Sequence, residues 1–308
     1  MRPPEVELTE LRYFLAAASA GSFAEGARIA HVSPPAVSKA IRRLEDTLEL
    51  DLFHRQSHSV RLTAAGEALV ERASRLLDAA QRLPDDVHAA ATGRIRGVLA
   101  VGCTEELTGM PLATTIARLS QRHPDLMICA RTLEPEAVAA SLRQGELEVG
   151  LVFGDEPVPA DCRARQLVQS PNRLVCGPRH PAFDEARIDP RDLDAMPFVV
   201  PVSTRQLRPR DRFPDHAPAR RVGATVASFQ CAISVVTESA LLGYVPEVLI
   251  RCQLNHGELR TLEGLDPPTS TPFVAWTFPD ASRRAEAFVD AMATALVESL
   301  NAECRVAT

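Results

Sequence analysis

The chain has 308 residues, is 45% hydrophobic and 24% charged, and carries a formal net charge of −6. That is the make-up of an ordinary soluble protein with room for more than one domain, and no stretch is long and apolar enough to span a bilayer. Acids stand where a signal peptide would begin with bases, so a cytoplasmic location is expected. Seven scattered cysteines with no Cys-x-x-Cys pair predict reduced thiols, with neither a disulfide framework nor a bound metal or cofactor. The negative charge weighs only weakly against nucleic acid, because a local cationic face can outweigh it.

Leu8, Leu11, Phe14, Leu15 and Ala18 line one face of a predicted first helix, ended by Gly21. Ser22 and Glu25 are spaced as a capping box for a second helix, and Ser33 before Pro34 reads as the N-cap and first-turn proline of a third. Along the third, Val37, Ile41, Leu44 and Leu48 form one buried stripe. Its opposite face presents Ser38, Lys39, Arg42 and Arg43. Two short helices joined by a tight turn, the second with a small-polar and cationic face, predict a helix-turn-helix whose second helix enters a DNA major groove. Leu52-Phe53 and Val60-Arg61-Leu62 then predict a hairpin around Gln56-Ser57-His58-Ser59. It would be a wing, with Arg55 and Arg61 flanking it to reach phosphates or the minor groove.

From Thr63 a long helix is expected. Leu69, Ala73, Leu76, Ala80, Leu83, Val87 and Ala90 make a heptad seam that predicts packing on a second copy of the chain, with packing on its own domain as the competing reading. Pro84 is expected to end the straight part near Leu83. After Thr92-Gly93 strands and helices alternate. Strands are predicted over 97–102, 126–130, 149–153, 173–176, 198–200, 222–225, 244–246 and 273–277. Helices are predicted over 112–122, 136–143 and 228–242 and from Ser282 onward. This is the pattern of an α/β domain with mainly parallel sheets, which binds ligands beyond the carboxyl ends of its strands. The arginine- and proline-rich run 205–221 reads as an exposed loop.

At this point the sequence resembles the LysR-type transcriptional regulators over essentially its whole length. The specific part is N-terminal: Leu11, Phe14, Gly21-Ser22-Phe23, Ala27, Val32-Ser33, Ala36-Val37-Ser38, Ile41, Leu44-Glu45, Leu52-Phe53, Arg55, Leu62-Thr63 and Gly66 match in order and spacing. His123-Pro124, Gly145-Glu146-Leu147-Glu148, His180-Pro181, Asp192-Leu193 and Gly243 through Val245-Pro246 match the family's effector domain more loosely. The resemblance implies a winged helix-turn-helix DNA-binding domain at 1–62 and a linker and dimerisation helix at 63–92. It also implies a two-subdomain, Rossmann-like effector domain at 93–308, similar to periplasmic binding proteins. Subdomain I would take about 93–165 and 269–308, and subdomain II about 166–268. Double-stranded promoter DNA, a small-molecule effector and further copies of the chain (a dimer or tetramer) are the implied partners, with RNA polymerase a candidate further one.

Expected DNA contacts are Ser33, Pro35, Ser38, Lys39, Arg42, Arg43, Arg55 and Arg61. Pro34 stands where the family usually has a base-reading glutamine, which shifts specificity onto these neighbours or onto DNA shape. Glu49 and Asp51 put acid near the wing, Glu148 replaces a usual aspartate, and Pro84 is unusual in the linker. Expected effector contacts are Cys103, Thr104 and Glu105 after one strand, Phe153 at the end of another, and Ser203 and Thr204 after a third. Glu105 and Asp155 in the cleft predict that a simple dianion is disfavoured. Cys103 at a helix N-terminus also suggests a thiol redox sensor, if its pKa is lowered. An enzyme is the rival from another class, but there is no Gly-x-Gly-x-x-Gly, Walker loop, Gly-x-Ser-x-Gly or His-Glu-x-x-His.

Overall fold

The structure, a computed structural model, describes residues 5–55, 60–185, 188–203, 207–217, 219–263, 265 and 268–301. It divides into two compact units, 1–95 with 140–147, and 96–139 with 148–308.

In the first unit, α1 (Leu8–Ala20), α2 (Phe23–Ile29) and α3 (Pro34–Leu48) pack around Leu11, Phe14, Ala27, Val37, Ile41 and Leu44. α1 stops at Gly21, whose φ of 62° suits a residue without Cβ. Ser22 accepts a hydrogen bond from Glu25 N, but the reciprocal half of the expected capping box is missing. The Glu25 carboxylate is taken by Arg28 at 2.6 Å. Ser33 occupies the N-cap of α3, yet its hydroxyl accepts no capping bond, which corrects that expectation; Pro34 supplies no N–H at the first helical position. β1 (Phe53–Arg55) and β2 (Val60–Leu62) pair antiparallel as the stem of the wing. The expected turn at 56–59 lies outside the described residues.

α4 (Ala64–Thr92) begins at Thr63, whose hydroxyl accepts from Gly66 N. A Cβ on Gly66 would stand 2.2 Å from the carbonyl oxygen of Leu52, so only glycine lets the wing and α4 approach this closely. The helix runs unbroken past Pro84 to Thr92, against the expectation that it stops near Leu83. One missing donor does not outweigh the hydrogen bonds continuing on either side.

The second unit holds β3 (Gly97–Cys103), α5 (Met110–Arg122), β4 (Leu126–Thr132), β5 (Val149–Phe153), β6 (Arg163–Cys176), β7 (Pro197–Pro201) and β8 (Arg221–Val226). α6 (Pro135–Arg143) crosses from one unit to the other. The second unit continues with α7 (Phe229–Glu238), β9 (Gly243–Pro246), α8 (Glu247–Asn255), β10 (Arg260–Leu262), β11 (Ser270–Thr277) and α9 (Arg283–Asn301). Among the described strands β3 pairs parallel with β4 and β5, and β7 with β8; β6 with β9, β10 and β11, and β5 with β11, are antiparallel. The expected mainly parallel sheet is therefore a mixed one. The cause is β6, a 14-residue strand of which residues 163–171 pair with β11 and residues 172–176 with β9 and β10. α7 ends at Glu238, four residues short of expectation, and α8 and β10 were not expected at all. A buried pair anchors α9: Glu148 accepts from Arg284 Nε at 2.9 Å and from Ser282 Oγ at 2.6 Å.

Candidate DNA interface and effector cleft

Burial of Val37, Ile41 and Leu44 at no measurable exposure turns the opposite side of α3 outward. Ser33, Pro35, Lys39 and Arg42 are exposed and Ser38 half-buried, so Pro35, Ser38, Lys39 and Arg42 lie along one outer stripe at helical spacing. Arg61 is exposed on β2, and Arg55 sits on β1 opposite Val60. Arg43, expected to reach DNA, is committed elsewhere. Its Nη2 lies 2.8 Å from Glu7 and its Nε 3.1 Å from the buried Glu10, tying α3 to α1. Glu45, on the inner side, accepts from Leu52 N at 3.0 Å and so positions the entry to the wing.

In the second unit, a cavity of about 640 Å³ opens beside Phe153, Ser203, Arg208 and Arg210, with acids Glu134, Glu136, Asp155 and Glu156 on its wall. A second cavity, of about 280 Å³, is bordered by Glu105, Glu106, Phe229, Arg251 and Gln253. Glu106 and Arg210, one from each lining, meet at 2.5 Å, with the Glu106 side chain fully buried. The Arg210 guanidinium stands 6.0 Å from the centroid of Phe153, which packs edge-on against Phe229 and Phe273. Arg212 pairs with Asp155 at 2.5 Å, and Arg220 grips the buried Asp211. In the run 205–221, expected as an exposed loop, Arg208, Arg210 and Arg212 line the larger cavity and Arg220 pairs with the buried Asp211, while 205, 206 and 218 lie outside the described residues.

Of the expected effector residues, Phe153 and Ser203 line the larger cavity and Glu105 the smaller, where its Oε2 accepts from Phe229 N at 3.3 Å. Cys103 and Thr104 are buried. Thr204 lies outside the described residues. Burial pushes the Cys103 thiol up to about 11, with the Glu106 charge acting the same way. That is opposite to the lowered value a thiol sensor needs. Glu106 itself is held above the usual carboxylate range by burial, against the pull of Arg210. Glu156 is raised by burial and by Glu136. Sequence reasoning missed Glu106, Arg210 and Arg212. Among the described residues no cluster of His, Cys, Asp and Glu could hold a metal.

A winged helix-turn-helix together with an α/β unit holding a charged, ligand-sized cleft defines a DNA-binding protein that answers to a small molecule. The chain belongs to the LysR family: residues 8–67 match the bacterial regulatory helix-turn-helix protein, lysR family, and residues 92–297 the LysR substrate binding domain. It is a LysR-type transcriptional regulator with a DNA-binding and an effector-binding domain. It is 32% identical to the Hca operon transcriptional activator HcaR of Escherichia coli over 66% of this chain and 69% of that one. Over 84% of this chain and 78% of the relative it is 28% identical to the regulator CbbR of Xanthobacter flavus. Other curated relatives are matched over 64–66% of their own length. Full-length LysG from Corynebacterium glutamicum, with its effector Arg bound, superposes with a TM-score of 0.68 at 21% identity over 95% of this chain and 98% of that one. ArgP from Mycobacterium tuberculosis gives 0.68 at 18% over 93% and 96%. At these identities the likeness is one of fold.

Proposed function

We propose that the chain binds promoter DNA by laying α3 in the major groove with the wing beside it, and that a small molecule in the cleft of the second unit modulates this binding. The carrying observation is the outer stripe of α3, where Pro35, Ser38, Lys39 and Arg42 project while the apolar stripe is wholly buried. In this reading Lys39, Arg42, Arg55 and Arg61 neutralise phosphates, and Ser33, Pro35 and Ser38 approach backbone or base edges. Arg43 is a structural cation. Phe153 and Ser203, with Thr204, contact the effector, and Cys103, Thr104 and Glu105 support that wall. The working division is 1–62 for DNA, 63–92 for the linker and 93–308 for the effector domain with its two subdomains.

Self-association through α4 is part of the proposal. Leu76, Leu83 and Val87 are 51–60% exposed along the helix while Ala73 and Leu77 face the core of their own unit. A seam of this kind buries itself against a copy of itself. The protein acts as a regulator and not as an enzyme, in the cytoplasm, with RNA polymerase a further partner. Among the described residues no helix is long and apolar enough to cross a membrane. The test is fluorescence anisotropy on the DNA upstream of its own coding sequence at low salt. Wild type should bind and a Lys39→Ala/Arg42→Ala double variant should not. Equal binding by the folded double variant would overturn the assignment of α3.

A further inference from the structure

The centre of the cleft already holds a cation, supplied by the chain itself. Arg210 is presented by a return of the backbone along the end of β7. Arg210 N donates to Pro201 O at 2.9 Å, Ser203 N donates to Arg208 O at 2.9 Å, and Val202 bridges Pro209. The next residue, Asp211, is fixed by Arg220, and its carbonyl is reached by Asn172. Arg210 therefore does not stray into the cleft by chance of an exposed side chain; it is held there.

What it touches is a receptor for positive charge. Glu106 is wholly buried, and its charge is favoured first by the ion pair with Arg210 and then by its own backbone N–H and the Thr104 side chain. Phe153 offers a ring face to the guanidinium. The cavity leading to this point carries Glu134, Glu136, Asp155 and Glu156 together with Arg208 and Arg212, the last paired with Asp155. The acids outnumber Arg208 and Arg212 on that wall, which favours an arriving cation over an arriving anion.

We propose that Arg210 is an internal stand-in for the effector, and that the effector is a small cation, an alkylammonium or guanidinium compound, that displaces Arg210 from Glu106 and Phe153. This rests on the cleft being the effector site. Exchange of one cation for another keeps Glu106 neutralised throughout, so the loop that carries Arg210 is released without leaving a bare buried carboxylate. The ligand then selects the state in which that loop has withdrawn.

Ethylguanidinium and ethylammonium chlorides serve as probes and succinate as the anionic control, with melting temperature and calorimetry on the full chain as readouts. Arg210→Ala should melt lower than wild type, and millimolar ethylguanidinium should restore its melting temperature. It should also bind the probe about tenfold more tightly than wild type does, because the internal competitor is gone. Glu106→Gln/Arg210→Ala, which removes the buried charge as well, should be neither rescued nor bound. Should Arg210→Ala not fold unaided, rescue is read as soluble yield on refolding with and without probe. Absence of rescue, equal rescue of the double variant, or stabilisation of wild type by succinate that is lost in Arg210→Ala would overturn the proposal. The rescue is read without DNA, so it stands or falls separately from promoter binding.

Discussion

Arg42 and Arg43 are neighbours of equal charge on one helix with different surroundings, and the proposed reading gives them different jobs. Arg42 is exposed on the outer stripe and makes no ion pair among the described residues, so its alanine variant should lose one phosphate contact. Each contact contributes about 0.9 to the slope of log affinity against log salt, which amounts to about three- to fourfold between 50 and 200 mM. Arg43 should leave that slope alone. Glu10, its partner, is 4% exposed, and among the described residues its other oxygen accepts from Glu7 N alone, at 3.1 Å. Removing the guanidinium leaves a buried carboxylate with one backbone donor. The cost is about 1 kcal/mol, at the low end for an uncompensated polar group, because the Arg43 side chain is 55% exposed and water can take its place. In a unit this small that lowers Tm by about 4–8 °C. Anisotropy titrations on a labelled promoter fragment across salt, with calorimetric melting of the same proteins, separate the two effects. Equal flattening of the slope by both variants, or an unshifted Tm in Arg43→Ala, would refute the reasoning.

Glu49 closes α3 in the left-handed region at φ 55°, where glycine avoids the Cβ clash. Glu49→Gly should raise stability by about 0.5–1 kcal/mol, read as a higher melting temperature of the first unit. Glu148 and Arg284 are both more than nine-tenths buried. Glu148→Ala should therefore cost about 3–5 kcal/mol in denaturant unfolding, and Glu148→Leu/Arg284→Met should recover most of it. Burial lowers the pKa of His180, and burial followed by Arg122 lowers that of His123. A base depressed on folding stabilises above its unfolded value of about 6.5, and that contribution is lost as pH falls through the folded one. Tm should accordingly drop between pH 7 and pH 5. His180→Asn keeps an acceptor for Ala182 N, now met by His180 Nδ1 at 3.1 Å, and should flatten part of that drop.

The DNA-binding half was legible because its signals are local and periodic. Val37, Ile41 and Leu44 recur at helical spacing, the Ser33-Pro34 pair marks a helix start, and all three land at zero exposure or at the helix boundary. The departures came where partners lie far along the chain. The ion pairs of Arg43 went unforeseen because nothing near it in sequence announces Glu7 and Glu10 on α1. The mixed sheet escaped notice because residues 163–172 carry no alternation that marks them as the front of one long strand. Arg210 and Asp211 looked like exposed loop residues because charge in a proline-rich run usually is exposed. Asp211 is in fact buried and Arg210 half-buried, paired with Arg220 and Glu106, and those partners are set by tertiary contact. Pro84 was read by propensity alone, although a helix of this length absorbs one missing bond.

A buried carboxylate is costly unless a cation accompanies it, and this asymmetry makes Glu106 useful as a receptor. With Arg210 in place the charge is compensated, so the resting cleft is stable without ligand. A neutral ligand that pushed Arg210 aside would leave Glu106 bare and would have to supply several kcal/mol from its remaining contacts. An anion would face Glu106 in the same condition and add its own repulsion. In the proposed exchange a ligand bearing positive charge takes the place without that penalty, whereas a neutral or anionic one requires Glu106 to take up a proton, the direction in which burial already pushes it. Selectivity and switching then come from the same pair of side chains: the group that excludes wrong ligands is the one whose partner moves when the right ligand arrives.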